Sequence, residues 1–430
     1  MLTPRHAGLC TGSDNTLDVL VRIQAPDAPA NEGGQRPPHA IGLVLDKSGS
    51  MNGQPLVEAL RCAEFVVSQL RPTDVASVVS FDNRVERLWP AVPIGNGAGV
   101  RGAIGRIQPG GNTNLHGGWL EGANTLADAP NGALQRVILL SDGCANEGLI
   151  DSAEISAQCA AWAAKGVTTS TYGLGRNFNE DLMVAMARAG NGNHYYGDTA
   201  EDLMEPFQQE LDLLANLALR EVTLSATPFQ QISLTLLNDL QKSASGWRLP
   251  DLAWGAEAWA MLQVVIPAGA LPPPGKPLLI LEVGVSGVSL EGVPVTLEPA
   301  RLELMVLPDA AFGALAEDEL VRRRSDELAA SHMLTQMRAA AMDRRWDEVD
   351  RLLAEAQECF KRSEWVGSIL SAMSAIARSR SRDRMMKEAR YSSMKLNSRL
   401  ASKDETGSPM NLEDLPAYLR RKPLQGKRDL

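Results

Sequence analysis

The sequence predicts an α/β doubly wound parallel sheet inserted in or followed by an antiparallel β-sandwich, with a helical region at the carboxyl end. Three observations lead there. Apolar runs and amphipathic helices take turns over residues 38–217, short strand-like runs between Gly and Pro clusters fill 218–308, and a helical period without strands occupies 315–401. A chain of 430 residues has room for several such cores.

Residues 17–24 (LDVLVRIQ) alternate apolar and polar positions, as a strand with one buried face does. No pairing partner lies near them in sequence. Residues 1–37 are therefore expected to lend a strand to the β-sandwich, which makes the α/β domain an insertion. Residues 41–46 (IGLVLD) form a continuous apolar run ending in a carboxylate, the pattern of a parallel strand covered on both faces. Next, 54–71 places Leu56, Leu60, Ala63, Val67 and Leu70 at helical spacing, 75–81 reads as a strand, 115–127 as a helix and 136–141 (RVILLS) as a buried strand. Helix 152–165, strand 167–173, helix 179–189, strand 194–196 and a helix from 200 close the domain. Ligands of such sheets bind beyond the carboxyl ends of the strands. After residue 220, strand-like runs at 221–226, 232–237, 259–266, 278–285, 293–297 and 300–306 suit an antiparallel sandwich. Dense Arg, Lys, Glu and Ala from 315 predict two or three helices with turns near Asp343 and Ser363, and 402–430 read as a mobile tail.

Acidic side chains outnumber basic ones, 52 to 42, and residues 1–314 hold 33 of the acidic groups against 19 basic. Such a field disfavours general nucleic-acid binding. The basic stretch 378–399 keeps a local contact open, as a solvated helix face or, with Met373, Met385, Met386 and Met394, as an adaptable protein-binding groove. Five scattered cysteines form no metal-ribbon or redox pair. No apolar run has the roughly 18–20 residues of a membrane span, and no secretory signal opens the sequence, so a cytoplasmic location is expected.

Three short stretches fall at strand ends of the α/β region: Asp46-Lys47-Ser48-Gly49-Ser50, Gly110-Gly111-Asn112-Thr113-Asn114, and Ser141-Asp142-Gly143. Two carboxylates and three hydroxyls are hard oxygen ligands, suited to a small divalent cation with water in the remaining positions. Gly49, Gly110, Gly111 and Gly143 are expected to supply backbone angles closed to other residues.

These motifs resemble the metal-ion-dependent adhesion site of von Willebrand factor type A domains: Asp46, Ser48 and Ser50 match its Asp-x-Ser-x-Ser element, Thr113 its distant threonine, and Asp142 its Asp-Gly turn. The whole arrangement is also similar to inter-alpha-trypsin inhibitor heavy chains, integrin β chains and bacterial intracellular type A proteins. The resemblance implies a Mg2+ site, with Mn2+ or Ca2+ as the other ions, whose open position takes an Asp or Glu of a partner protein. It implies no catalysis, and an AAA+ ATPase or a phosphorylation-linked system as the kind of partner. Lys47, Asn112, Asn114, Trp119 and Cys144 are the expected partner-binding rim. Within that set, Lys47 either points to solvent or pairs with an acidic partner, and Trp119 is either an exposed hot spot or packed beneath its helix. His116 and His194 read as structural. The expected function is a metal-dependent protein-protein interaction module. Its alternatives are a metal-dependent hydrolase or transferase and a nucleic-acid-associated factor acting through the basic helix. The missing phosphate-binding loop and the lack of a paired His or Cys weigh against the enzyme.

Overall fold

The computed structural model describes residues 1–27, 38–129, 132–142, 145–174, 179–197, 199–229, 231–243, 245–397 and 400–402. They fall into two compact units, one of residues 38–216 and the other of residues 1–27 together with the chain from Leu217 onward. The tail from 403, Gly143, Cys144 and Arg399 lie outside the described residues.

The chain opens with β1 (Leu2–Pro4), β2 (Leu9–Cys10) and β3 (Asn15–Gln24), whose partners arrive only after residue 217. The α/β unit then runs β4 (His39–Asp46), α1 (Gln54–Gln69), β5 (Val75–Phe81), β6 (Val85–Pro93), α2 (Ala98–Ile104), α3 (Leu115–Ala127), β7 (Leu134–Ser141), α4 (Ser152–Ala163), β8 (Val167–Leu174), α5 (Glu180–Ala189), β9 (Asn191–Gly197) and α6 (Ala200–Ala215). Its sheet order is β6-β5-β4-β7-β8-β9. Five strands are parallel, but β6 runs antiparallel to β5 at the edge. The sequence pattern did not predict β6 or α2. β6 is mostly exposed and carries Pro90 and Pro93, which a strand tolerates at a sheet edge, so it lacks the buried apolar run that marks its neighbours. β4 and β5 are buried at every position. The chain leaves β4 to one side for β5 and later crosses to the other side for β7. The carboxyl end of β4 is therefore the switch point where such sheets bind ligands.

In the other unit, β10 (Leu217–Pro228), β11 (Ser233–Leu236), β12 (Lys242–Ser243), β13 (Gly246–Arg248), β14 (Leu252–Ala253), β15 (Ala256–Ile266), β16 (Pro277–Val288), β17 (Pro294–Thr296) and β18 (Ala300–Leu307) build two sheets with β1–β3. One has the order β1-β3-β15-β11, and β3 pairs with β15 from Asn15 opposite Ile266 to Gln24 opposite Glu257. The second has the order β12-β13-β10-β16-β18-β2 and is antiparallel except where β2 meets β18.

After α7 (Asp309–Phe312), four long helices follow where two or three were expected: α8 (Glu319–Met342), α9 (Trp346–Cys359), α10 (Glu364–Arg378) and α11 (Arg382–Leu396). A short strand, β19 (Leu400–Ser402), pairs with the start of β15. The start of α8 covers the sheet through Leu320, Val321 and Leu328 against Trp259 and Met261. Its buried Arg324 stands 4.5 Å over the Trp259 ring and 3.5 Å from Glu257, which also accepts from Arg22 at 2.6 Å. The basic stretch expected as one helix breaks between α10 and α11, where Arg380 takes a φ of 50° and clasps Asp350 at 2.8 and 3.1 Å. Met373 and Met385 sit in the bundle core with Leu334, Met337 and Ile369, so they line no groove. Among the described residues, no helix is long and apolar enough to cross a membrane.

Candidate metal centre

Asp46 ends β4 fully buried. Its Oδ1 accepts from the Ser48 amide at 2.8 Å and its Oδ2 from the Ser141 hydroxyl, the last residue of β7. Burial pushes its carboxyl up to about 6 against the pull of those donors, and the nearby Asp142 charge adds to the rise. Ser48 is buried and Ser50 exposed, with their hydroxyl oxygens 3.2 Å apart. Thr113 is buried too. Its amide donates to Asn146 Oδ1 at 2.8 Å and its carbonyl accepts from the amides of Asn146 and Glu147. Asp142 follows β7 and is 7% exposed.

Backbone bonds tie the first two loops together. The Gly49 amide donates to the Gly111 carbonyl at 2.8 Å and the Gly110 amide to the Lys47 carbonyl at 2.7 Å. Glycine is needed at 110 for space and not for dihedral freedom: its φ is ordinary, but a methyl group there would stand 1.8 Å from Asp82 Oδ2.

Asp82 is the residue that motif reading missed. It directly follows β5, one residue beyond Phe81, which is the partner of Asp46 across the sheet. Its Oδ2 accepts from Lys47 Nζ at 2.9 Å and the Gly111 amide at 3.2 Å, its Oδ1 from the Arg84 amide at 2.7 Å, and its carbonyl from the Asn114 amide at 2.9 Å. Burial alone would raise its carboxyl, yet Lys47 and these amides hold it below the ordinary range.

Three expectations for the rim change. Lys47 is buried and paired with Asp82, so it faces neither solvent nor a partner. Trp119 is fully buried and donates from Nε1 to Thr169 Oγ1 at 3.0 Å, which makes it a packing residue. Asn114 caps α3 by accepting from the Gly117 amide at 3.0 Å, and its side chain is half-buried. Asn112 is exposed, as a rim residue must be. His116 meets Gln158 at 2.9 Å and His194 meets Thr171 at 2.9 Å, both within the packed unit.

The donor set tests well against a hard divalent ion. A fully buried carboxylate that accepts from the Ser48 amide and the Ser141 hydroxyl lies beside a second carboxylate and a pair of adjacent hydroxyls, which would supply oxygen ligands and negative charge. Among the described residues no group of three or more His, Cys, Asp or Glu is placed to hold a metal.

Residues 40–210 match the family model of the von Willebrand factor type A domain. The chain is 29% identical over 214 residues to an uncharacterized Synechocystis protein, sll0103, covering 48% of this chain and 50% of that protein. It is 30% identical over 199 residues to the uncharacterized YfbK of Escherichia coli (45% and 34%), and 26% identical over 211 residues to inter-alpha-trypsin inhibitor heavy chain H2 of Sus scrofa (46% and 22%). It thus spans half the length or less of these relatives. Among solved structures, the von Willebrand factor type A protein from Catenulispora acidiphila aligns with a TM-score of 0.65 at 15% identity over 86% of this chain and 88% of that one. The ArnB paralog VWA2 from Sulfolobus acidocaldarius aligns with 0.56 at 18% identity over 91% and 98%. At these identities the likeness establishes the fold.

Proposed function

We propose that this protein is a non-enzymatic recognition module whose type A domain holds Mg2+ through Asp46, Ser48, Ser50, Thr113 and Asp142 and uses it to bind a carboxylate of a partner protein. The observation that carries the reading is Asp46: a carboxylate buried at a sheet switch point, raised by desolvation and pressed by the charge of Asp142. A cation relieves both penalties. With two protein carboxylates the site would be close to neutral once a divalent ion is bound, so a partner carboxylate would be held by direct coordination to the ion and not by net charge. The ion supplies the Lewis-acid contact. The chain orients it: Ser141 and the Ser48 amide aim Asp46, the Asn146–Thr113 bonds fix the threonine, and the Gly49–Gly111 bond brings the two loops together.

The test is binding of Mg2+ and Mn2+ by calorimetry, then capture of acidic-peptide ligands with and without chelator, repeated with Asp46→Ala. Metal binding by the native chain and its loss in the variant support the reading. Equal peptide capture under all these conditions refutes it.

A further inference from the structure

Burial takes Lys47 out of the expected rim and leaves this charged side chain without a role. Lys47 lies between two of the proposed ligands, Asp46 and Ser48, so its ammonium is a cation permanently tethered beside a cation site. Left free, it would be attracted to the same buried carboxylates as the metal and would repel any divalent ion bound there. Its actual position is set by Asp82, whose Oδ2 holds Nζ at 2.9 Å in a nearly buried pair. The other carboxylate in reach, Glu86, is 3.9 Å away and half exposed, too distant and too solvated to replace Asp82. The same Asp82 oxygen accepts from the Gly111 amide at 3.2 Å, and Gly111 in turn accepts from the Gly49 amide. The ammonium is therefore parked against the wall of the centre, a few bonds from it.

We infer that Lys47 and Asp82 form a charge-neutral latch: Asp82 is a positioning residue that withdraws the Lys47 ammonium from the metal centre, so that the field at the ion comes from Asp46 and Asp142 alone. This rests on the metal reading proposed above. It makes a signed prediction that a purely structural role for Asp82 does not. Asp82→Asn preserves shape and keeps one acceptor oxygen, for the Arg84 or the Gly111 amide, but leaves one uncompensated positive charge. Lys47→Met leaves one uncompensated negative charge. The double variant is neutral again.

The experiment measures Mg2+ and Mn2+ affinity of the full chain by titration calorimetry, with circular dichroism in chelator to verify folding. Asp82→Asn is expected to weaken binding roughly tenfold, Lys47→Met to strengthen it by a similar factor, and the double variant to return to within about threefold of the native chain. Losses in all three variants, or no recovery in the double variant, overturn the latch and leave Asp82 as a loop brace. Should Asp82→Asn not fold, the Lys47→Met arm decides, because weakened or unchanged binding there is incompatible with the latch. A native chain that binds neither ion refutes the metal reading itself, and the latch falls with it.

Discussion

At the scale of single residues, the burial of Asp46 works against stability. Its carboxylate is buried and held by the Ser48 amide and the Ser141 hydroxyl, both neutral donors, so at neutral pH and without metal it costs folding free energy. Asp46→Asn keeps the volume and should stabilise the chelated protein by about 1–3 kcal/mol in denaturant titration. The same substitution should erase the extra stability that Mg2+ gives the native chain. A destabilised chelated variant would show that the charge is already compensated. Trp119→Phe should cost about 1 kcal/mol through its lost bond to Thr169 and leave partner capture unchanged, because the ring is fully buried. Asp46 and Asp142 were legible because an apolar strand ends at each in a short polar residue, whereas Thr113, also expected at a strand end, lies in the loop between α2 and α3. The surroundings were not. Spacing does not say that Lys47 turns inward to Asp82 or that Trp119 lies beneath its helix, since both depend on residues far away in sequence.

At the scale of elements, α3 shows how packing reaches the site. It has glycine at two points facing the sheet: a methyl group at Gly118 would stand 2.4 Å from Phe81 Cδ1, and one at Gly122 2.3 Å from Val44 Cγ2. Either contact is with a buried, closely packed side chain that has little room to move. Gly118→Ala should therefore destabilise the unit by about 1–3 kcal/mol despite the better helix propensity of alanine. Because α3 begins at Leu115, directly after Thr113 and its cap Asn114, lifting it should also weaken metal binding. Unchanged stability in a denaturant titration would mean that the helix has slack. The parallel strands were readable because burial on both faces leaves continuous apolar runs. β6 was not, since an exposed antiparallel edge has no such run. The helical region was read as two or three helices where four long ones stand. The positive φ of Arg380, which divides α10 from α11, involves no glycine or proline that would signal a break.

At the scale of the whole molecule, the pairing of β3 with β15 means that the chain enters and leaves the α/β unit from strands of the other unit. The lack of a local partner for residues 17–24 pointed to this arrangement. The register could not be read, because it depends on which of several apolar strands accepts them. Each unit buries its own charged pair, and these should separate the units by pH. In the α/β unit, Glu210 on α6 is fully buried. Burial would raise its carboxyl, but Arg136, Ser170 and Asn193 hold it below its ordinary value of 4.5. A depressed carboxyl contributes stability that is complete above pH 4.5 and is lost as pH falls through its folded value. Arg136→Met leaves that charge unpaired and should cost about 3–5 kcal/mol at pH 7. Without the guanidinium, burial raises the Glu210 carboxyl, so it takes up a proton at a higher pH and the penalty is relieved. The stability gap between native and variant protein should thus shrink as pH is lowered from 7 to 4, and only the transition of residues 38–216 should move. That segment, expressed alone, should show the same pH-dependent gap, because Arg136, Glu210, Ser170 and Asn193 all lie within it. A gap that stays constant from pH 7 to 4 would mean that Arg136 acts through packing and not through its charge.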